Sequence, residues 1–159
     1  MPFVLIVCTA NICRSPMAEV LLREKLAARR DAAEWRVESA GTWAANGIPA
    51  SANGATVMRE RGLDLTSHQS QQVSEELMAA ADVVLTMTGG HAEALQADFL
   101  LHAGKVHRLA EMAGLAYNVA DPYGGDVEDY RRTADELERL LEQGLDRIVQ
   151  LAREITNRR

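Results

Sequence analysis

Residues 3–16 read FVLIVCTANICRSP, and this stretch predicts a strand, a loop and the start of a helix. Residues 4–7 are short, β-branched and continuously apolar, which is typical of a buried strand. Ser15 and Pro16 suit the N-cap and the first position of a helix, and the apolar residues after them recur at helical spacing. The sequence therefore places Cys8 where the strand ends and Arg14 where the helix begins.

The remainder of the chain alternates strand and helix signals. Further strands are predicted within residues 34–41, 81–87 and 105–109, a turn at Gly89-Gly90, and helices over 50–61, from Ser74, over 91–101 and from Asp126 onward. This alternation predicts an α/β fold, with a parallel sheet and helices on both of its faces. In such folds ligands bind beyond the carboxyl ends of the strands, and Cys8 lies at one of those ends.

The bulk properties limit the class of protein. A chain of 159 residues suits one domain spanning 1–159. The net charge of −6 argues against general binding to nucleic acid or to anionic membranes. Two cysteines give no disulfide framework, and the N-terminal apolar run lacks a basic leader and is too short for a signal segment. We therefore expect a cytoplasmic protein with neither nucleic acid nor a membrane as a partner.

The loop between strand and helix suits an anion and a nucleophile. Unpaired backbone N–H groups and the positive end of the helix dipole meet at a helix start, and a loop curled onto that end cradles an anion. Arg14 adds a planar fork for two phosphoryl oxygens. The same field favours the thiolate of Cys8, and Ser15 can donate a hydrogen bond to its sulfur. Asn11 suits the left-handed conformation that so tight a loop requires. Phosphoryl transfer to sulfur fits this loop.

A proton donor for the leaving group is predicted in the sequence DPYGG, residues 121–125. Asp121 precedes the stiff Pro122, in a loop before the last helix, where catalytic residues are commonly presented. The same residues, taken alone, are also typical of a turn followed by a helix cap.

Three segments together resemble the low-molecular-weight protein-tyrosine phosphatase family: VCTANICRSPMAE, SAGTW and ADPYGG. The resemblance spans nearly the whole chain. It implies a four-stranded parallel sheet, a mechanism without metal or cofactor, and a cysteinyl-phosphate intermediate that releases inorganic phosphate from phosphorylated proteins. Cys8 would be the nucleophile, Arg14 the phosphate clamp and Asp121 the general acid.

The resemblance also implies roles for the rest of the loop. Asn11, Ser15 and Ser39 would form the network that shapes it. Ala10 stands where the family often has glycine, for which we expect a stiffer loop. The expected phosphate-binding loop consists of Thr9, Ala10, Asn11, Ile12, Cys13, Arg14 and Ser15.

Several other residues admit two interpretations. Cys13 is either a small packed residue or a partner that forms a reversible disulfide with Cys8 under oxidation. Trp43 and Tyr123 are either core or surface aromatics or, as their position near the strand ends favours, walls of an aromatic slot. The histidines His68, His91, His102 and His107 lack ligand spacing, so no metal site is predicted; the resemblance places His68 near the site.

The leading hypothesis is a phosphatase that acts on phosphotyrosine in proteins, with Ile12 offering an apolar contact to the phenyl ring. The alternative is a phosphoarginine phosphatase on the same scaffold, whose known members, by the resemblance, carry threonine at the position of Ile12. An arsenate reductase is disfavoured because no cysteine follows Cys13 to relay electrons. A thiol or oxyanion sensor without turnover would have no need of Asp121.

Overall fold

The computed structural model describes residues 1–31 and 34–159. The elements run β1 Phe3–Cys8, α1 Arg14–Ala27, β2 Arg36–Gly41, α2 Ala52–Glu60, α3 Glu75–Ala80, β3 Val83–Thr86, α4 Gly89–Asp98, a 3₁₀ helix Leu100–Lys105, β4 Val106–Arg108, α5 Leu109–Met112 and α6 Val127–Thr156. The strands form a parallel four-stranded sheet in the order β2-β1-β3-β4. The expected single-domain α/β fold is therefore confirmed.

Both faces of the sheet are covered, because β1 is apolar throughout and alternates its side chains between two cores. Val4, Ile6 and Cys8 pack into the core under α1, α2, α5 and α6. Phe3, Leu5 and Val7 pack into a second core with residues of α3 and α4. The continuous apolar run of β1 is the pattern expected of a strand buried on both sides.

The strand order reverses beside β1, and this fixes where the site lies. From β1 the chain crosses α1 to β2 on one side, and later returns as β3 on the other side. The carboxyl ends of β1 and β3 therefore flank a topological switch point, where open α/β sheets bind ligands. Gly41, at the end of β2, approaches this point so closely that a Cβ there would clash with the Thr9 carbonyl oxygen.

Several local predictions differ from the structure. Helix α1 begins one residue before Ser15, and its N-cap is Cys13, which makes no side-chain capping bond. Gly89 is not a turn residue but the first residue of α4, capped by Thr88. The helix expected over 91–101 ends at Asp98 and is followed by the 3₁₀ helix, and the short helix α5 was not predicted.

The longest helix, α6, begins where the sequence predicted, at the N-cap Asp126. Gly144 lies in its interior, where a glycine costs a helix about 1 kcal/mol relative to alanine. A Cβ at Gly144 would lie 2.7 Å from the Cβ of Met112, so the glycine allows α5 to pack directly on α6. Within the described residues, no helix is both long and apolar enough to cross a membrane.

Candidate active site

The sulfur of Cys8 receives a directed hydrogen bond. Cys8 ends β1 and is 2% exposed, and its Sγ lies 2.9 Å from Ser15 Oγ. Asn11 Nδ2 donates to the same Ser15 oxygen at 2.8 Å, which leaves the hydroxyl hydrogen of Ser15 available for the sulfur. An O–H donated to sulfur stabilises the thiolate, the reactive form of a cysteine nucleophile.

Asn11 holds the curl of the loop. Its φ of 60° is in the left-handed region, as expected from the sequence, and it is fully buried. Its Nδ2 also donates to Ser39 Oγ at 2.9 Å, and its Oδ1 accepts from the backbone N–H of Gln71 at 3.0 Å. His68 Nε2 lies 2.7 Å from its carbonyl oxygen. These bonds join β2 and the segment before α3 to the loop, so its shape is set by side chains from three parts of the chain.

Arg14 is buried, and one edge of its guanidinium remains open. Nη1 donates to the Val119 carbonyl at 2.9 Å, while Nη2 lies 3.4 Å from both Thr9 Oγ1 and Asp121 Oδ2. Nε has no hydrogen-bond partner among the described residues. Nε and Nη2 share one edge of the planar group, and that edge fits two oxygens of a tetrahedral anion.

Asp121 contacts the guanidinium of Arg14 from another part of the chain, the loop before α6. Its Oδ1 accepts from the backbone N–H of Tyr123 at 3.1 Å, and its Oδ2 forms the ion pair with Arg14. The side chain is 45% exposed, whereas Pro122 beside it is buried. A carboxyl group that faces both the cavity and solvent can give its proton to a leaving group and regain one from water.

A cavity of about 290 Å³ connects these groups. Its volume suits one phosphorylated side chain at the lower end of the usual range for ligand pockets. The residues that line it are Cys8, Thr9, Ala10, Ile12, Cys13, Arg14, Asp121 and Tyr123. Tyr123 stands at the rim, 72% exposed. Trp43, expected as a second wall, is not among the lining residues: its backbone N–H donates to the Thr9 carbonyl, but its side chain is 85% exposed.

The second cysteine is oriented toward a tyrosine. Cys13 is 4% exposed, and its Sγ lies 3.3 Å from Tyr130 Oη on α6. Burial raises the pKa of the Cys13 thiol, against the opposing effect of the Tyr130 hydrogen bond. Burial and the bond to Cys13 raise the pKa of Tyr130 to about 12. Both cysteines are free, so the redox role of Cys13 stays a prediction.

The four histidines occupy unrelated positions. His68 holds the loop through Asn11, His91 contacts Thr9, His102 pairs with Glu75, and His107 lies near Glu111. In residues 1–31 and 34–159, no group of three or more potential ligands is placed to hold a metal ion. The sequence did not predict the contact of His91 with Thr9. The only signal for it was a histidine shortly after β3, because the carboxyl end of β3 lies on the same side of the sheet as Cys8.

The comparisons with known proteins agree with this geometry. The family model "Low molecular weight phosphotyrosine protein phosphatase" matches residues 3–156, and the chain belongs to this family. It is therefore a cysteine-dependent phosphatase that acts on phosphorylated proteins.

Its relatives include proteins named as arginine phosphatases and proteins named as tyrosine phosphatases. The "Protein-arginine-phosphatase" of Bacillus subtilis (strain 168) is 40% identical, with 88% of this chain and 92% of that protein covered. A "Probable low molecular weight protein-tyrosine-phosphatase EpsP" of Ralstonia nicotianae is 34% identical, with 91% and 94% covered. The solved low molecular weight protein tyrosine phosphatase from T. tengcongensis superimposes with a TM-score of 0.87 at 37% identity, with 92% and 99% covered.

Proposed function

We propose that the protein hydrolyses phosphotyrosine in proteins through a cysteinyl-phosphate intermediate. The observation that carries this substrate assignment is the apolar wall that Ile12 adds to the cavity above Cys8. An isoleucine offers dispersion contacts to a flat phenyl ring and no hydrogen bond. Tyr123 at the rim adds an aromatic surface, which favours stacked or edge-on contact with a substrate ring.

The first chemical step transfers the phosphoryl group to sulfur. The Cys8 thiolate attacks phosphorus, so a sulfur–phosphorus bond forms while the bond from phosphorus to the phenolic oxygen breaks. The loop N–H groups and the open edge of Arg14 hold the remaining phosphoryl oxygens. Asp121 gives its proton to the departing phenolic oxygen, and the Ser15 hydroxyl stays directed at the sulfur.

The second step returns the enzyme to its starting state. Asp121, now a carboxylate, accepts a proton from a water molecule that attacks phosphorus. The sulfur–phosphorus bond breaks, inorganic phosphate leaves, and sulfur departs as the thiolate that Ser15 stabilises. Protons balance over the cycle, because the proton that Asp121 gave to the phenol is replaced by one from water. No metal or cofactor takes part in this scheme.

Phosphoarginine is the second candidate substrate, favoured by the 40% identity to a protein-arginine-phosphatase. Overall identity averages over the whole chain, whereas substrate choice depends on the few residues that touch the substrate. The guanidinium donors of phosphoarginine would face the side chain of Ile12, and an unpaired buried donor costs about 1–3 kcal/mol. We therefore weigh the cavity wall above the overall identity.

Matched peptides that carry phosphotyrosine or phosphoarginine test this choice. We expect a higher kcat/KM for the phosphotyrosine peptide, measured at one pH with a metal chelator present. Ile12→Thr should move the ratio of kcat/KM values about tenfold toward phosphoarginine, because it supplies a hydroxyl partner. Ile12→Val is the matched control, since valine has the shape of threonine without its hydroxyl. A wild-type preference for phosphoarginine would overturn the substrate assignment and leave the cysteine mechanism intact.

We further propose the cytoplasm as the compartment, with neither nucleic acid nor a membrane as a partner. The negative net charge supports the absence of these partners, because a chain with a charge of −6 is repelled by polyanions. Sedimentation of the tagged protein with the membrane fraction at physiological salt would contradict it.

A further inference from the structure

His91 contacts the phosphate loop, residues 8–15, from a separate part of the chain. The imidazole is 8% exposed, and its Nε2 lies 2.8 Å from Thr9 Oγ1. The first turn of α4 that carries it is held on both sides: the backbone N–H of His91 donates to Thr88 Oγ1 at 3.1 Å, and that of Gly89 donates to Asn118 Oδ1 at 2.8 Å. The ring therefore has a rigid base next to the end of β1.

Thr9 passes this contact on to Arg14. Its Oγ1 accepts from Arg14 Nη2 at 3.4 Å, the same distance at which Nη2 meets Asp121 Oδ2. Nη1 is already bonded to the Val119 carbonyl, so the guanidinium can turn only about this bond. The acceptors at Nη2 determine how far it is turned. One of these acceptors is the general acid and the other is a neutral hydroxyl.

The neutral hydroxyl matters most in the form of the enzyme that reacts. Asp121 acts as an acid only when protonated, and protonation removes the negative charge that attracts Arg14. In that form the Thr9 hydroxyl becomes the main protein acceptor for Nη2. A hydroxyl held by a second bond, to His91, keeps its position better than one free to rotate about its χ1 bond.

His91 is suited to keep a fixed hydrogen bond to Thr9, and it is not suited to transfer protons. Burial, together with the charge of Arg14 and against the effect of Asp121, lowers the pKa of His91 to about 4, so the ring is neutral at neutral pH. Its Nδ1 is buried without a hydrogen-bond partner in the described part of the chain. Within residues 1–31 and 34–159, no group is therefore placed to exchange a proton with Nδ1.

We propose that His91 is a positioning residue of the active site, which fixes the Thr9 hydroxyl and through it the guanidinium of Arg14. The proposal requires only phosphatase activity and is independent of the choice between phosphotyrosine and phosphoarginine. It assigns to the first turn of α4 a part in holding the bound phosphoryl group.

A double-mutant cycle on nitrophenyl phosphate tests the connection. Thr9→Val removes the hydroxyl but keeps the side-chain shape, and His91→Phe keeps a ring without nitrogen. We expect each change to lower kcat/KM about tenfold and to weaken competitive inhibition by inorganic phosphate by a similar factor. The double variant should be no worse than either single variant, because both changes break one chain of bonds. His102→Phe, at a histidine paired with Glu75, is the control with unchanged kinetics.

A conservative pair separates positioning from packing. His91→Gln places an amide near the position of Nε2 and should lose less than about threefold in kcat/KM, whereas His91→Asn places it near Nδ1 and should behave like His91→Phe. Above pH 5 the pH profile of His91→Gln should match that of the wild type, because the neutral imidazole does not titrate there. Thermal unfolding verifies that each variant is folded. Additive losses in the double variant, unchanged inhibition by phosphate, or equal losses for Gln and Asn would each overturn the proposal. If His91→Phe does not fold, Thr9→Val and the Gln/Asn pair decide.

Discussion

The phosphate loop, residues 8–15, and the acid loop, residues 120–125, form opposite walls of one cavity and are built in contrasting ways. In the phosphate loop, Asn11 and Ser15 are fully buried and Arg14 is 4% exposed, with bonds to β2, α4 and the segment before α3. In the acid loop, Tyr123 is 72% exposed. The bonds within it are short-range, from Tyr123 to Asp121 and from Gly125 to Pro122. The bonds that reach it from Arg14 and Asn53 are longer, at 3.4 Å each.

This contrast follows from what each wall must do in the proposed mechanism. The phosphate loop stabilises charge that develops on phosphoryl oxygens, and fixed dipoles do so without reorganising during the reaction. The acid loop must exchange protons with water and contact substrates of differing sequence, which requires exposure. We therefore expect changes in the phosphate loop to affect catalysis and stability together, and changes in the acid loop to affect mainly catalysis.

The largest effect should come from the nucleophile. Cys8→Ser should lower kcat by at least about a thousandfold, because a serine hydroxyl at this position lacks the thiolate character on which attack depends. Isothermal titration with inorganic phosphate should still detect binding, since the N–H groups and Arg14 make the cradle. Arg14→Lys should show the opposite pattern, with weakened phosphate binding and an intact nucleophile. Substantial hydrolysis by Cys8→Ser would show that the reaction does not depend on the sulfur of Cys8.

The acid loop should respond next, and selectively. Asp121→Asn should lower kcat/KM about a hundredfold for phenyl phosphate and far less for nitrophenyl phosphate, because a good leaving group needs little protonation. The free energy of unfolding should change by no more than about 1 kcal/mol, the usual contribution of an ion pair with a largely exposed partner, because Asp121 is 45% exposed. The ratio between the two substrates is an internal control. Equal losses on both would reassign Asp121 to a structural role.

Asn11 tests the rigidity of the phosphate loop. Asn11→Gly keeps the left-handed backbone but removes the bonds to Ser15, Ser39 and Gln71, and should cost about 3 kcal/mol of unfolding free energy. Asn11→Ala removes the same bonds and adds backbone strain, for a further loss of about 1 kcal/mol. Urea denaturation of both variants checks the order. If alanine were as stable as glycine here, the backbone conformation would not contribute.

The burial of His91 near Arg14 should appear in the pH dependence of stability. The pKa of His91 is lowered in the folded state from its ordinary 6.5 to about 4, so the unfolded state binds more protons between these values. The contribution of neutral His91 to the free energy of unfolding is complete above pH 6.5, and it is lost as the pH decreases toward 4. Between pH 7.5 and 4.5 the wild type should lose about 2.5 kcal/mol more than His91→Gln, which does not titrate. Parallel curves for the two proteins would show that His91 titrates normally.

The sequence predicted best what depends on neighbours along the chain. The strand, the cysteine loop and the helix lie within residues 3–16, and Asp121 lies in a compact motif. The left-handed Asn11 was also predictable, because a tight turn places that demand on one residue. Ser15 was only half predicted: its contact with Cys8 was expected, but its N-cap position was wrong, since the hydroxyl is used on the sulfur.

The sequence did not predict contacts that depend on strand order. His91 meets Thr9 because β3 lies beside β1, and no pattern in the sequence indicates a contact between residues 82 positions apart. The Val119 carbonyl that holds Arg14 carries no sequence signal, because any residue has one. Trp43 shows a related limit of the sequence: its backbone is bonded to the loop, yet its side chain faces solvent, so its part in the substrate pocket stays a prediction.

The smallest effect concerns Cys13, which lies in the rigid loop but contacts α6. After peroxide converts Cys8 to a sulfenic acid, the Cys13 thiolate can attack that sulfur, displacing hydroxide and forming a disulfide that dithiothreitol reduces. Burial raises the pKa of Cys13, so little thiolate is present at neutral pH and recovery of activity should improve as the pH rises. Cys13→Ser should make the loss irreversible, because no resolving thiol remains.

Tyr130 should tune the rate of this protection. Its hydroxyl lies 3.3 Å from Cys13 Sγ, and a hydrogen bond donated to sulfur lowers the pKa of the thiol. Tyr130→Phe should therefore slow disulfide formation by a few-fold, equivalent to about 0.5–1 kcal/mol, measured as the fraction of activity that dithiothreitol restores after a timed peroxide pulse. Steady-state kinetics without peroxide should change little, because Tyr130 is not among the residues that line the cavity. Faster disulfide formation in Tyr130→Phe would mean that the hydroxyl restrains the Cys13 sulfur more than it activates it. If peroxide already inactivates the wild type irreversibly, Cys13 is only a packed residue of an otherwise rigid loop.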